Sequence, residues 1–377
     1  MISSAVPDAE EAPGTVHIVV YKVAGGSVEV RLDSYGMVSD LKMRIAEILK
    51  VPPACQKLIV GGLILNDADV VSTYYHTSNP VLVVSLIITL DEVTKSLEHF
   101  DHERREKALL VLADLGLQGG LSSMTAVLGH LQDIHSSIRR AALHALPKVV
   151  PKGNVSAIQA LKPLLLDPVV CVRCKALETY AKLALTVPWD ALVPEELRTC
   201  LHDNEFVVRS AALETLGRLA SKGHSESLQL ATECLRDTHA SVRRAAVKVL
   251  TAVAERGDEQ TIETVISLIE RSSSGLKCAA MEALAAIAEK GDERAVLLIC
   301  GFLQDQQGLV RLTAAKVLTK IAAAGDARVL SLQTAGLQQT LTIADAVSRR
   351  IELEQRYYRT MSKISEGVSD QTINWNG

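Results

Sequence analysis

Five aspartates each stand six residues before an arginine: Asp133 and Arg139, Asp167 and Arg173, Asp203 and Arg209, Asp237 and Arg243, Asp305 and Arg311. A carboxylate and a guanidinium at fixed spacing can do acid–base work, hold an anion, or tie two turns together. Repetition favours the last. The aspartate falls in a turn, where it can accept hydrogen bonds from free N–H groups at the start of the following helix. The arginine falls one turn into that helix, placed to reach the carboxylate of an adjacent unit. Repeated along the chain, this gives a ladder of charge-assisted contacts. All ten residues are therefore assigned to architecture, and none to catalysis.

Other chemistry finds less support. Cys171 and Cys174 form a Cys-x-x-Cys pair, but no second pair stands nearby to complete a metal site. Cys200 and Cys234 lie three residues before Asp203 and Asp237, at a position held elsewhere by Leu164 and Phe302, and read as small buried hydrophobes. The histidines form no His-x3-His array, and His135 and His239 fall in turns where no ligand is expected. Neither a phosphate-binding glycine loop nor a Gly-x-Ser-x-Gly nucleophile motif is present. No cofactor and no metal are expected.

The elements that carry the ladder recur. Basic residues stand at Arg105, Arg139, Arg173, Arg209, Arg243, Lys277 and Arg311. The interval from Arg105 to Arg139 repeats at every later step except the one into Arg209, which is two positions longer. A fixed period of this length means stacked helical units, each unable to bury its apolar face alone. In the unit around Arg243 the pattern predicts helix A over 226–236, a turn at 237–240, and helix B over 241–256 stopped by Gly257-Asp258. Helix B buries Val242, Ala246, Val249, Leu250 and Val253 at helical spacing. Unit six departs from the rule: Arg271 replaces the aspartate, Lys277 replaces the arginine, and a looser joint is expected there. The two-residue insertion before Arg209 carries Trp189, either as a packed loop or as a partner contact.

The outward positions of the B helices form a stripe with more cations than acids: Arg140, His144 and Lys148, then Glu178 and Lys182, Glu214 and Arg218, Arg244 and Lys248, Glu282, and Lys316 and Lys320. It reads as a solvated face or as a seat for an acidic partner segment. Aromatic interleaving is missing, which argues against nucleic acid.

The first ninety residues follow another rule. Val16, Ile18 and Val20, then Val28, Val30 and Leu32, alternate around Gly25-Gly26, as in a β-hairpin. Val38, Leu41, Ile45, Ile48 and Leu49 form a helical stripe ended by Pro52-Pro53, and strands follow at 58–60 and 81–87. This is a β-grasp plan. It resembles ubiquitin without a gap from Ile18 to Leu86, most specifically in Pro52-Pro53-x-x-Gln56-x-Leu58-Ile59. The resemblance implies a built-in domain and not a modifier, because no terminal diglycine follows Leu86. It also implies an apolar binding patch on Val23 and Ile59, with Ser85 at the third position and Val83 beside it.

The repeats, over about 97–325, resemble short HEAT repeats of the kind in phycobilin lyase subunits and deoxyhypusine hydroxylase. The hydroxylase's di-iron centre uses His-Glu dipeptides directly after the basic residue. The pairs here are Arg140-Ala141, Cys174-Lys175, Ser210-Ala211, Arg244-Ala245, Cys278-Ala279 and Leu312-Thr313. The one His-Glu, His102-Glu103, precedes Arg105, so hydroxylase activity is excluded. A lyase-like or redox role stays a distant alternative.

The fold class expected is thus an α+β β-grasp domain followed by an all-α HEAT-type solenoid. Its parts are a disordered tail over 1–14, a ubiquitin-like domain over 15–89, a solenoid over 95–330, a capping helix over 335–364 and a flexible tail over 365–377. Net charge of −4 among 377 residues argues against bulk adhesion to nucleic acid or to an anionic membrane. Seven cysteines without a secretory leader point to the cytoplasm, with the nucleus open. The function expected is a non-enzymatic adaptor whose partners are other proteins, ubiquitin-pathway components among them. Its alternative is a structural scaffold with the β-grasp domain as a cap.

Overall fold

The computed structural model describes residues 14–23, 25–75, 81–186, 195–269 and 272–323. The N-terminal tail, the Trp189 turn, Arg271, the C-terminal helix and the final tail expected from the sequence lie outside these residues, apart from Gly14. The chain forms two compact units, Met1–Leu164 and Leu165–Gly377.

The first unit opens with a five-stranded sheet. Period-two alternation builds β1 (Thr15–Lys22) and β2 (Ser27–Asp33), paired so that Val20 faces Val28. Gly25 and Gly26 take φ of 100° and 83°, a region glycine enters without a Cβ penalty. The helical stripe becomes α1 (Val38–Leu49), burying Val38, Leu41 and Ile45 against the sheet. β3 (Gln56–Val60), β4 (Leu63–Ile64) and β5 (Val81–Ile88) complete the order β2-β1-β5-β3-β4, with β1 and β5 parallel. Only Leu63 and Ile64 make up β4, too short a strand to leave a period-two signal in the sequence. The buried Gln56 amide donates to Lys42 O and Val51 O, both at 2.8 Å, which pins the loop after α1.

The helices follow in pairs: α2 (Asp91–Leu97) and α3 (His102–Leu115), α4 (Gly120–Gly129) and α5 (Ser136–Val149), α6 (Val155–Leu161) and α7 (Val170–Leu183), α8 (Glu195–Leu201) and α9 (Phe206–Leu219), α10 (Ser225–Cys234) and α11 (Ala240–Val253), α12 (Glu259–Ile269) and α13 (Ser274–Ile287), and α14 (Glu293–Gly301) and α15 (Gly308–Ile321). The first unit holds α2 to α6 and the second α7 to α15. Every second helix, from α3 to α15, has 14 residues and starts at the spacing of the basic residues. These are the B helices. Their stripes are buried as the period requires: Val242, Ala246, Val249, Leu250 and Val253 on α11, and Val310, Ala314, Val317, Leu318 and Ile321 on α15.

Helix α11 ends at Val253, short of the end at 256 expected from the sequence, and Ala254 turns extended with ψ 141°. Gly257 serves the next repeat instead: at φ 82° its N–H donates to Ile287 O at 2.8 Å. Gly223 and Gly291 do the same to Val253 O and Ile321 O, both at 2.7 Å. Among the described residues, one stretch, His102–Gly129, has the length and hydropathy to cross a membrane. It is interrupted at Gly116–Gly119, and its halves α3 and α4 both pack against α5.

Candidate functional site

The Asp–Arg turns are built from two sets of bonds. Within a turn, each aspartate Oδ1 accepts the N–H of the residue two positions on: His135 (2.9 Å), Val169 (2.8 Å), Glu205 (2.9 Å), His239 (2.7 Å) and Gln307 (2.9 Å). Those five residues are themselves the N-caps of their B helices. The aspartate therefore shapes the turn before the helix, where the sequence suggested that it caps the helix itself. Each arginine then donates from Nη1 to the backbone carbonyl of its own aspartate: Arg139, Arg173, Arg243 and Arg311 at 2.8 Å, and Arg209 at 2.7 Å.

Between repeats, cations at this repeat position form rungs. Arg105 Nε lies 3.2 Å from Asp133 Oδ2, Arg173 Nε 2.7 Å from Asp203 Oδ2, Arg209 Nε 2.6 Å from Asp237 Oδ2, and Lys277 Nζ 2.9 Å from Asp305 Oδ2. Burial opposes ionisation of Asp133 and Asp237. The N–H groups and cations around them outweigh it and hold both carboxyls below the usual range. The Gln307 N–H and Lys277 do the same for Asp305. Lys277 thus keeps the rung between units six and seven and also sits 5.3 Å from the Phe302 ring centre, while the looser joint expected around unit six turns on Arg271, outside the described residues. For Arg243 the corresponding acid is replaced by Arg271, which lies outside the described residues. Its guanidinium bonds the turn carbonyls of Asp237 and Thr238 and rests on Gly275, where a Cβ would come within 2.4 Å of Nη2.

Beside the rungs runs a feature the sequence reading missed. His102 stacks on His135 with ring centres 5.2 Å apart, and Phe206 on His239 at 3.6 Å. The separation is the same in both pairs, one position short of the repeat period, and that spacing was the available signal. These histidines are bonded rather than idle: His135 N–H and ring meet Asp133, and His239 Nδ1 lies 2.6 Å from Ser241 Oγ. Burial pushes the His239 pKa down.

Burial disfavours the thiolate at Cys174, Cys200 and Cys234. Burial pushes Cys174 up to about 11, and Cys200 and Cys234 up to about 12. No three His, Cys, Asp or Glu among the described residues are grouped to hold a metal.

The outward B-helix positions are placed as follows. Arg140 lies on α5 in the first unit. In the second unit Lys182 is engaged by Glu178 at 2.5 Å, and Glu178 also takes Lys175 at 2.9 Å. Arg218, Lys248, Lys316 and Lys320 are exposed and Arg244 half-exposed, and none of the five forms an ion pair among the described residues. The two helix layers of this unit are segregated by charge. Helices α8, α10, α12 and α14 carry seven acids and two cations, whereas α9, α11, α13 and α15 carry nine cations and two acids.

A second surface lies on the β-grasp sheet, on the face turned away from α1. Register aligns Tyr21 with Ser85, Ser85 with Ile59, and Ile59 with Ile64 in one row across four strands. Val83 stands one pair along, opposite Val19. Ile59 is half-buried within this row, while Val83 is 50%, Ile64 54% and Val23 76% exposed. Tyr21 and Ile64 join the residues singled out from the sequence. Ile64 was missed because β4 was. The helices meet the β-grasp domain elsewhere: α2 packs on the turn at Pro53–Cys55, and Gln118 Nε2 donates to Leu49 O (3.2 Å) at the end of α1. Among the described residues these contacts lie off the row of Tyr21, Ser85, Ile59 and Ile64.

A β-grasp sheet followed by a regular ladder of helix pairs defines a protein-interaction molecule of two modules. Residues 18–87 match the ubiquitin family, and residues 71–333 match the adaptin N-terminal region, a HEAT/ARM-type helical repeat. That second match covers most of the chain, which belongs to the adaptin N-terminal region family. Its first part overlaps β5, so the family's helices begin here at α2. No curated protein matches the chain. Both families are non-catalytic interaction modules.

Proposed function

We propose that the protein is a non-enzymatic adaptor: the helical repeats hold a client protein on the outward B-helix face, and the ubiquitin-like domain docks on ubiquitin-pathway machinery. The observation that carries the docking half is the row through Ile59, left open with Ile64, Val83 and Val23 exposed beside it. An apolar strip of this kind rimmed by polar residues is what a partner helix buries. Ser85, in the middle of the row, makes the strip more polar than in ubiquitin and sets a weak, reversible contact. The proposed division of the chain keeps 15–89 as the docking domain, 95–330 as the client-holding array and 335–364 as its cap. The proposed compartment is the cytoplasm.

The scaffold reading is favoured by a different observation, the Gln118 contact to the end of α1, which ties the β-grasp domain to the first helices. Titration of the full chain with a ubiquitin-interacting helix peptide separates the two. Under the adaptor reading wild type binds, and the double variant Ile64→Ser, Val83→Ser does not. No binding by folded wild type leaves the scaffold reading in place.

A further inference from the structure

Charge in the second unit is sorted by layer beyond what the rungs require. Arg209, Arg243, Lys277 and Arg311 head their helices and serve the turns, which leaves Arg218, Arg244, Lys248, Lys316 and Lys320 with no structural task among the described residues. On the A-helix layer the surface cations are neutralised across repeats: Arg198 Nη2 lies 2.6 Å from Glu226, and Arg294 Nη2 3.6 Å from Glu263. An unpaired cationic face on a chain of net charge −4 is a local feature whose field attracts acidic partners.

The stripe also has an internal order. Glu214, Lys248, Glu282 and Lys316 occupy one register position on α9, α11, α13 and α15, each a full repeat period from the next, and on α9 Arg218 stands one turn beyond Glu214. Glu282 is exposed to water on α13, although protein packed around it partly shields its carboxyl. Shielding raises its pKa against the pull of Lys320, Lys316 and Arg244. From its place in the register between Lys248 and Lys316, its negative charge repels a second carboxylate at that point, while the cations on either side attract one.

We infer that this face binds an extended acidic peptide segment of a partner protein, laid across α9, α11, α13 and α15, with carboxylates meeting Arg218, Arg244/Lys248 and Lys316/Lys320 and an uncharged hydrogen-bond donor meeting Glu282. This rests on the reading that the B-helix face holds the client, and it adds the client's chemistry. Neighbouring helices pack about 8–10 Å apart, and an extended chain advances about 3.3 Å per residue. One helix crossing thus consumes about three residues. The segment reads acid-x-x-acid-x-x-amide-x-x-acid. A protein segment is favoured over nucleic acid because the stripe has no aromatic side chain for base stacking and carries Glu214 and Glu282 within it.

The test uses the full chain and a fluorescein-labelled peptide, Gly-Glu-Gly-Ser-Glu-Gly-Ser-Gln-Gly-Ser-Glu-Gly. Controls are the same composition with its glutamates contiguous, an oligothymidylate, and phosphatidylserine vesicles. The spaced peptide is expected to bind more tightly than all three controls and to weaken as salt rises. Joint Arg244→Gln and Lys248→Gln is expected to weaken it about tenfold, and Glu282→Gln to tighten it about threefold, as one or two partly screened charges allow. Equal binding of any control, or no effect of Glu282→Gln, overturns the inference. Client capture from lysate is run in parallel with the Arg244→Gln, Lys248→Gln chain. Clients retained by that chain, with no peptide binding by wild type, mean that the adaptor reading stands and the acidic segment does not.

Discussion

The β-grasp domain and the helical repeats are held by different means. In the sheet, each core residue is unique: Ile18, Leu41, Ile45 and Leu86 meet once, through a register that joins strands far apart in sequence. In the repeats, one bond set recurs, with the aspartate folding its own turn and the arginine tying that turn to the next. The difference bears on how function shows itself. Where structure repeats, a structural residue is recognised by its copies, and the residues left over, such as Lys248 and Lys316, are candidates for binding. Where structure does not repeat, only register and exposure separate Ile59 and Ile64 from the core.

That contrast can be broken experimentally. The largest effect is expected in the β-grasp core, where Leu41→Ala removes a fully buried side chain and should cost about 3–4 kcal/mol in urea unfolding. A cost near that of a surface change would mean that the domain is not packed as described. Next comes the rung. Arg209→Ala breaks a part-buried ion pair and strands Asp237, at a cost of about 3 kcal/mol. Arg243→Ala loses only bonds to turn carbonyls and should cost about 1 kcal/mol. Equal costs would show that the rungs contribute nothing beyond the turns.

The turn N–H groups and the rungs together contribute to the acid limb of stability. Asp133, Asp237 and Asp305 have folded pKa values below their unfolded ones, so their contribution is fully present above an unfolded pKa of about 3.9. It is lost as pH falls through the lower folded values. Urea midpoints between neutral pH and the acid range should therefore drop below about pH 4, and Asp237→Asn should flatten that drop while lowering the neutral plateau. The smallest effect is expected from Ile64→Ser with Val83→Ser, within about 0.5 kcal/mol, because both side chains are half exposed. A larger loss would mean that the row is structural and not a docking face.

Much of this was legible in the chain. Period and Asp–Arg spacing announced the repeats, and the Pro52-Pro53-x-x-Gln56 stretch announced the β-grasp, because each rests on local chemistry. What escaped depended on neighbours distant in sequence. Ile64 joins the apolar row only because β4 pairs with β3, and Gly257 donates to Ile287, at the end of the following B helix. The ring pairs, each one position short of the period, were present in the sequence, but only stacking gives that spacing a meaning.

Under the proposed function one chain carries two separate binding surfaces. Affinity capture from native lysate, quantified by mass spectrometry, tests it with three chains: wild type, Ile64→Ser/Val83→Ser, and Arg244→Gln/Lys248→Gln. The sheet variant should lose ubiquitin-pathway proteins and keep the remaining partners, and the stripe variant should do the reverse. Recovery of the same proteins by all three chains, or loss of the same set by both variants, would contradict it.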